Sequence, residues 1–461
     1  MTPAPSLLLR PDHGDGVGSG HVARCYALAE AWVARGGVAS VWSGPLAAPW
    51  TERFSSIGVE STEHPTTDHD WAARDGYQVS NDDAIRLRDL AAHQLVVDDH
   101  GLSGSAAADV IVDQNFGALA SRYGDTPLVL LGPRYALLRS EFAAARPAAP
   151  AVVAAAQAVA YLAGGSPAGA TEQLVAEARA GVERAGLRTI EVRDQHAVAH
   201  AMANADIAVS AAGSTLLELC CLGVPSVLFV VADNQRIGAE AAGQASVAVN
   251  LGVIDQLDAT GIEQAVLALG RDAARRGRLA AEAWARVDGR GSARVVTKML
   301  SRLVSLRAAT PDDATRLFEW RNDETTRRSS FSSDPIEWTA HVEWLERTLS
   351  SPRIELFIVE DRAGTPVAQV RFDAADDGVK EISIGVAPAA RGRSFGAAAI
   401  DAGVTRVFAD SSAARVVARI KPDNEPSIAS FRNADFDPAG RETADGEDVL
   451  LYSRNRDAGL A

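Results

Sequence analysis

The stretch "GVGSGHVARCYALAEAWVARGG", residues 16–37, decides how the first two thirds of the chain are read. Three glycines in five positions lead into a histidine, and an amphipathic run follows at once. Cys25, Leu28, Ala29, Trp32 and Val33 fall at i, i+3, i+4, i+7 and i+8, which predicts one apolar face of a helix. The apolar run "SLLLR" lies just upstream, so the local order is strand, glycine turn, helix. "VASVWS", "LVVDD", "DVIVDQ" and "PLVLLG" continue the pattern, followed by "AVAYLAG", "TIEVR", "DIAVS", "SVLFVV" and "SVAVNL". Helical periodicity separates many of these runs up to about residue 290. Such alternation predicts parallel sheets covered by helices on both faces.

The segment "AAARPAAPAVVAAAQ", residues 143–157, interrupts the alternation and carries no charge after Arg146. It reads as the connection between two similar halves. The expected fold class is α/β: two doubly wound Rossmann-like domains, 1–145 and 146–297, facing each other across a cleft where such sheets bind ligands. From about residue 305 the pattern changes. "ELFIVED", "PVAQVRFD" and "KEISIGV" follow one another as an antiparallel meander. Helices from Phe395 and Asn424 and the strands "ARVVARI" and "DVLLYSR" complete an α+β domain at 304–456.

The 461 residues carry 45 Lys+Arg against 60 Asp+Glu, a net charge of −15. That balance excludes a polyanionic partner, so neither nucleic acid nor an anionic membrane surface is expected. Three cysteines, two of them adjacent, do not make a disulfide framework. With no charged-then-apolar leader and no run of eighteen apolar residues, a cytoplasmic protein is expected. Composition leaves the oligomeric state open.

Two places carry chemistry in the α/β part. Glycines 18 and 20 let the chain turn sharply after the first strand, and His21 then stands at a helix start. Neither GxxxxGK[ST] nor GxGxxG is present, so this is not a recognised phosphate loop. The positive helix end favours a neutral imidazole, suited to act as general base for water. The second place is "ADIAVSAAGSTLLELCCLGVPSVLFVVADNQ", residues 205–235. Gly213, Ser214 and Thr215 form a turn into a helix, with Glu218 one turn on and Asn234 and Gln235 after the next strand. Backbone N–H groups and hydroxyls suit a diphosphate, and the carboxylate suits two ribose hydroxyls. Alone, the "GST" triplet would be an ordinary helix cap.

Arg10, Asp12, Gly18, Gly20, His21 and Arg24 together resemble the opening motif of the UDP-sugar hydrolases of pseudaminic acid synthesis. Those are two-domain enzymes of the GT-B fold. "LLGPRYALLRSEF" (130–142), Gly164-Gly165-Ser166, "AAGSTLLELCCLGVPS", "ADNQ" and "DGRGSARV" (288–295) extend the resemblance over residues 6–297. It implies that His21 activates water and that the set from Gly213 to Gln235 holds UDP. Asp12 would orient His21 or bind the sugar. The chain departs from the family pattern at two points. His100 stands where a tyrosine near the sugar is usual, as a second acid/base group or a hydrogen-bond substitute, and Pro167 replaces an acid.

"EISIGVAPAARGRSFGAAAI", residues 381–400, resembles the pyrophosphate loop of GNAT acetyltransferases, with Ser394 in place of a glycine. The resemblance implies acetyl-CoA as cosubstrate and no metal. The Arg391, Gly392, Arg393, Ser394, Phe395 and Gly396 segment would meet the pyrophosphate. The strand through Ile384 and Val386 would pair with the pantetheine amides, flanked by Asn424 and Ser427. Phe431 stands where the family often has a tyrosine acid, leaving Tyr452, His341 and Glu319 as candidates for that role. The whole then reads as a bifunctional enzyme that N-acetylates a UDP-linked amino-deoxy sugar and hydrolyses the product to UDP and free sugar. A GT-B glycosyltransferase, or a UDP-sugar-binding module serving the acetyltransferase, are the alternatives.

Overall fold

The computed structural model describes residues 3–14, 19–77, 81–101, 108–124, 126, 128–151, 153–162, 170–191, 197–375, 378–444 and 447–456. Gly18 and the Gly164–Pro167 loop lie outside the described residues. The chain forms two compact units, one from Pro5 to Val295 and one that joins the residues before Pro5 to the chain from Val296 onward.

In the first unit, seven strands make one sheet: β1 (Ser6–Pro11), β2 (Val38–Trp42), β3 (Glu60–Thr62), β4 (His69–Asp75), β5 (Ala91–Val97), β6 (Val110–Asp113) and β7 (Val129–Leu131). The order is β3-β2-β1-β4-β5-β6-β7, and every pairing is parallel. A second parallel sheet comprises β8 (Ala158–Leu162), β9 (Arg188–Glu191), β10 (Ile207–Ala211), β11 (Ser226–Val230) and β12 (Val249–Val253), ordered β12-β11-β10-β8-β9. Leu7, Leu8 and Leu9 have no exposed surface, as a strand covered on both faces requires. In the first sheet the strand order reverses between β1 and β4, and in the second between β8 and β10. Crevices open at such reversals beyond the carboxyl ends of the strands.

The two sheets share a core. Phe116, Leu138 and Phe142 from the first half pack in one cluster with Leu216, Leu219 and Val224 from the second. Arg146 ties the connection down by donating to the carbonyls of Cys221 (2.7 Å), Val287 (2.6 Å) and Trp284 (2.8 Å).

The second unit is built on a mixed sheet of β13 (Ser305–Ala308), β14 (Ile354–Glu360), β15 (Pro366–Ala374), β16 (Val379–Val386), β17 (Arg415–Ile420), β18 (Asp437–Ala444) and β19 (Glu447–Asn455). Its order is β13-β14-β15-β16-β17-β19-β18. The expected meander β14–β15–β16 is antiparallel throughout. The β16–β17 pair alone is parallel, and it is joined only through Val379, Lys380 and Glu381. Past Glu381 the strands part, leaving the edge of Ile382–Val386 that faces β17 without a strand partner.

Three strands differ from the sequence reading, which placed no strand at β3, β4 or β18. β4 reads "HDWAARD" and β18 "DPAGRETA", neither with the apolar run that marks a buried strand. β12 begins three residues later than "SVAVNL", because Ser246 turns with φ +56°.

Candidate active site

The crevice between β1 and β4 is lined from both strands. β1 leads to the helix Gly20–Val33, whose first turn presents His21. β4 ends on Asp75, whose carboxylate is fully buried. His21 Nδ1 lies 2.6 Å from Asp75 Oδ1. Arg24, one helical turn after His21, donates to the same carboxylate through Nε (2.7 Å) and Nη2 (2.6 Å). Arg24 Nη2 is also 2.9 Å from His21 Nδ1, but that guanidinium faces Asp75 and Asp99. The ring proton on Nδ1 therefore goes to Asp75, and the Nε2 lone pair is left to accept a proton.

Behind the histidine one guanidinium serves two carboxylates. Arg24 Nη1 reaches Asp99 Oδ1 at 3.1 Å, and Asn115 donates to that oxygen at 2.6 Å. Burial opposes ionisation of Asp99, yet Arg24, Tyr77 and Asn115 outweigh it and hold the carboxyl down at about 2. Tyr77 donates its hydroxyl to Asp99 Oδ2, and its ring meets His21 edge-on at a centroid distance of 5.1 Å.

Sequence reasoning missed Asp75, Tyr77 and Asp99. The available signal was the pair of acids closing two successive strands, at "ARD" and "VVDD", beside the crevice that His21 opens onto. Asp12 is buried, and its carboxylate packs on Gly76, where a Cβ would lie 2.1 Å from Cγ. Of the two roles left open for Asp12, orienting His21 falls instead to Asp75.

The second half meets this site directly. β10 ends at Ala211, and Ser214 precedes the helix Thr215–Leu222 without capping it through its side chain. A Cβ on Gly20 would stand 3.3 Å from Ser214 Oγ, so the two helix starts face each other across the crevice. Gln235 brings its Nε2 to 3.6 Å from where a Cβ on Gly213 would be, and its Oε1 accepts from the Val231 N–H at 3.0 Å. Asn234 Nδ2 donates to Tyr77 Oη at 3.0 Å. Gly213, Ser214, Asn234 and Gln235 are thus gathered beside His21. Thr215 begins the same helix, and Glu218, one turn on, pairs with Arg139 of the first half.

His100 stands apart from that group. It has φ +61°, is buried, and lies at Nδ1 3.0 Å from Arg122 Nη1. A guanidinium only donates, so Nδ1 accepts and the ring keeps its proton on Nε2.

The second unit has its own site, where β16 and β17 part. Beyond β16 the chain passes Pro388–Ala390 and turns through Gly392 (φ +73°) and Ser394 (φ +61°) into the helix Phe395–Asp410. Ser394 thus takes the left-handed conformation that glycine adopts without strain. A Cβ on Gly396 would come within 3.0 Å of Ser430 Oγ, which sets how closely that helix approaches Glu425–Asn433. The unpaired β16 edge leads through the turn to the helix start, whose free N–H groups and dipole give it a positive end.

Residues 303–437 match the family model of the acetyltransferase (GNAT) domain. The C-terminal unit is a GNAT acetyltransferase domain. Acetyl-CoA is its cosubstrate. Solved structures similar to this part of the chain include aminoglycoside acetyltransferase AAC(6')-Ib in complex with coenzyme A, 21% identical over 34% of this chain and 96% of that one, TM-score 0.31. Spermidine N-acetyltransferase from Vibrio cholerae, with CoA and spermine, is 16% identical over 35% and 99%, TM-score 0.33. RimL, a ribosomal L7/L12 alpha-N-protein acetyltransferase, with coenzyme A, is 17% identical over 34% and 97%, TM-score 0.31. No curated protein matches the chain.

Within the GNAT domain the expected cofactor residues fall into two groups. Ile384 and Val386 lie on the unpaired stretch of β16, and Gly392 to Gly396 form the turn and helix start. Arg391 is engaged elsewhere: Nη2 donates to Asp323 Oδ1 (2.6 Å) and Thr326 Oγ1 (2.7 Å). Arg393 stacks over the Phe395 ring at 5.2 Å. Asn424 and Ser427 pair with each other, Asn424 Oδ1 accepting from the Ser427 N–H at 3.2 Å and so capping the helix Glu425–Asn433. Tyr452 is buried in the core cluster with Phe431 and Phe436. His341 donates from Nε2 to the Ala314 carbonyl (2.9 Å) among Phe318, Trp338 and Trp344. Burial lowers its pKa.

Among the described residues, no cluster of three or more His, Cys, Asp or Glu is arranged to hold a metal. No described helix is long and apolar enough to cross a membrane.

Proposed function

We propose that the chain is a bifunctional nucleotide-sugar enzyme. Its GNAT domain N-acetylates the 4-amino group of a UDP-linked amino-deoxy sugar, and its first unit, a GT-B-type pair of domains, hydrolyses the UDP-2,4-diacetamido-2,4,6-trideoxy sugar in nonulosonic acid synthesis of the pseudaminic type. The observation that carries the hydrolase reading is the Asp75–His21 pair at a strand-order reversal, opposite the Ser214 helix start. In that reading His21 Nε2 takes a proton from water, and the hydroxyl oxygen attacks the anomeric carbon. The bond from that carbon to the diphosphate oxygen breaks, and UDP leaves with the electron pair. Ser214, Thr215, Asn234 and Gln235 surround the place where the diphosphate charge would sit, at a helix N-terminus.

In the GNAT domain the neutral amine attacks the thioester carbonyl, the carbon–sulfur bond breaks, and CoA leaves as thiolate, which takes up the proton the amine nitrogen gives up. The parted β16 edge supports this reading by offering backbone groups to the pantetheine amides.

The test follows UDP and CoA release by NMR from the UDP-4-amino sugar with acetyl-CoA, and from the diacetamido sugar alone. UDP release from the latter that is lost in His21→Ala supports the hydrolase. No release by the unmodified protein, or undiminished release by His21→Ala, refutes it. Release of UDP only when an alcohol acceptor is supplied would identify a glycosyltransferase instead.

A further inference from the structure

Arg391 opens the turn into the helix Phe395–Asp410, yet its side chain leaves the turn and crosses to another element of the domain. Nη2 donates to Asp323 Oδ1 at 2.6 Å and to Thr326 Oγ1 at 2.7 Å. Asp323 stands where the helix Ala314–Asn322 ends and Glu324–Ser329 begins, and the same Oδ1 accepts from the Thr326 N–H at 3.0 Å. The Arg391 bond and that N–H hold the Asp323 carboxyl below the usual carboxylate range, so it stays ionised. The corner is well anchored. Leu317 of the first helix packs with Leu345, Leu356 and Ile358. Asn322 exchanges two bonds with Ile336, donating from Nδ2 to its carbonyl (3.0 Å) and accepting at Oδ1 from its N–H (2.9 Å). The turn is the opposite case. Gly392 (φ +73°) and Ser394 (φ +61°) are both left-handed, and serine disfavours that conformation. The backbone bonds at its two ends are long, with the Arg391 N–H 3.4 Å from the Pro388 carbonyl and the Ala398 N–H 3.4 Å from that of Ser394.

We infer that Asp323 is a positioning residue for the cofactor: through Arg391 it holds the turn 391–394 in the shape that presents backbone N–H groups to the pyrophosphate of CoA. This rests on reading 391–396 as the pyrophosphate turn of the GNAT domain, and it needs no particular acceptor. Arg391 is then an anchor rather than a ligand contact. A turn that stores a left-handed serine spreads over other conformations when nothing outside it holds it, and a ligand binds only the fraction in the competent shape. A charge-assisted bond to a rigid corner raises that fraction before the cofactor arrives. Thr326 supplies the second acceptor, which fixes the guanidinium in orientation as well as in place.

The consequence is an affinity change of unexpected sign. A carboxylate near a bound pyrophosphate repels it, so charge alone makes Asp323→Asn bind CoA more tightly. A guanidinium that simply touched the pyrophosphate would also be freed by that change. Anchoring requires the reverse. Asparagine still caps the helix Glu324–Ser329 but offers Arg391 a neutral, weaker acceptor. CoA should therefore bind Asp323→Asn more weakly than the unmodified protein, by roughly three- to tenfold. Thr326→Val leaves the charge and the capping N–H in place and removes only the second acceptor, so CoA binding should weaken there too, by roughly two- to fivefold.

Titration calorimetry with CoA on the full chain reads these affinities, and NMR titration with pantetheine, which lacks the pyrophosphate, is the control. The variants should lose affinity for CoA and keep that for pantetheine, a split that general damage to the domain would not produce. Unchanged or tighter CoA binding by a folded Asp323→Asn, or an equal loss for pantetheine, overturns the anchoring role while leaving the cofactor site standing. If Asp323→Asn does not fold, Thr326→Val decides: unchanged CoA binding by that variant overturns the proposal equally. If the unmodified protein binds CoA no more tightly than pantetheine, the pyrophosphate turn itself is refuted.

Discussion

Glu218 Oε1 lies 3.2 Å from Arg139 Nη2, so this carboxylate is held by a guanidinium from the opposite half of the unit. Arg139 also meets Glu141 at 3.2 Å, and Glu141 meets Arg53 at 3.3 Å. Burial pushes the Glu218 carboxyl up to about 7; Arg139 opposes the shift and Glu141 adds to it.

In the proposed function, where Glu218 meets the ribose, nucleotide affinity should follow this titration. The form that accepts two hydroxyl hydrogens is the carboxylate, which becomes dominant only as pH rises through about 7. UDP should bind more tightly at pH 8 than at pH 6, and Glu218→Gln should remove that component of the difference. Stability moves the other way. The folded carboxyl titrates above its unfolded value, so the folded state binds more protons between them and loses stability as pH rises through that window. Thermal melting of Glu218→Gln against the unmodified protein should favour the variant more at pH 8 than at pH 5.

Asp75→Asn should uncouple chemistry from binding. The amide keeps the shape but gives His21 and Arg24 a neutral, weaker acceptor. UDP release should fall by about 10²- to 10⁴-fold, the usual range for general-base assistance. UDP affinity, which the proposed function assigns to the loops around Ser214 and Gln235, should change little. Steady-state kinetics of UDP release and calorimetry on the same sample measure both.

Gly291 is a packing position, and its replacement should be severe. A Cβ there would stand 2.2 Å from the Ala136 carbonyl oxygen and 2.4 Å from its nitrogen. The neighbouring backbone cannot yield easily, because Ser292 Oγ donates to the Leu138 carbonyl (3.1 Å) and Arg294 Nη1 to that of Arg134 (3.0 Å). Gly291→Ala should cost ~3 kcal/mol or more, at the upper end of overpacking effects. The midpoint of urea unfolding is the measurement.

Ser394→Gly should be stabilising. Serine at φ +61° carries a left-handed penalty of about 1–2 kcal/mol, and its side chain makes no capping bond to lose. The greater freedom of glycine in the unfolded chain returns roughly half of that. A net gain of about 0.5–1 kcal/mol should move the melting of the GNAT domain upward by roughly 1–4 °C in calorimetry.

Legibility in the sequence divides along physical lines. Strands buried on both faces, such as "SLLLR" and "SVLFVV", announce themselves as apolar runs, and the helix after His21 by its period. The pyrophosphate turn is legible because glycines and a helix start are local features. β4 is not legible, since His69, Asp70, Arg74 and Asp75 interrupt its apolar run. Asp70, Arg74 and Asp75 are buried, and their partners arrive from elsewhere in the fold, as Ser6 does for Asp70 and Arg24 for Asp75. Pairing across 51 and 64 residues leaves no local pattern. Likewise, Arg391 is expected at a ligand from its neighbours in sequence, whereas its bond to Asp323, 68 residues away, leaves no local pattern.

Because Asp75 and Tyr77 sit two residues apart at the end of β4 and both meet His21, the crevice depends on the phase of that one strand. β4 is locked in register between β1 and β5, with Ala73 opposite Leu9 and Leu95. Losing one residue inside β4 would turn both side chains to the wrong face of the sheet and unmake the crevice in a single event. The exposed turn at 63–68 can lengthen or shorten without that effect. Along this lineage, length variation should therefore gather before His69 and stop abruptly there.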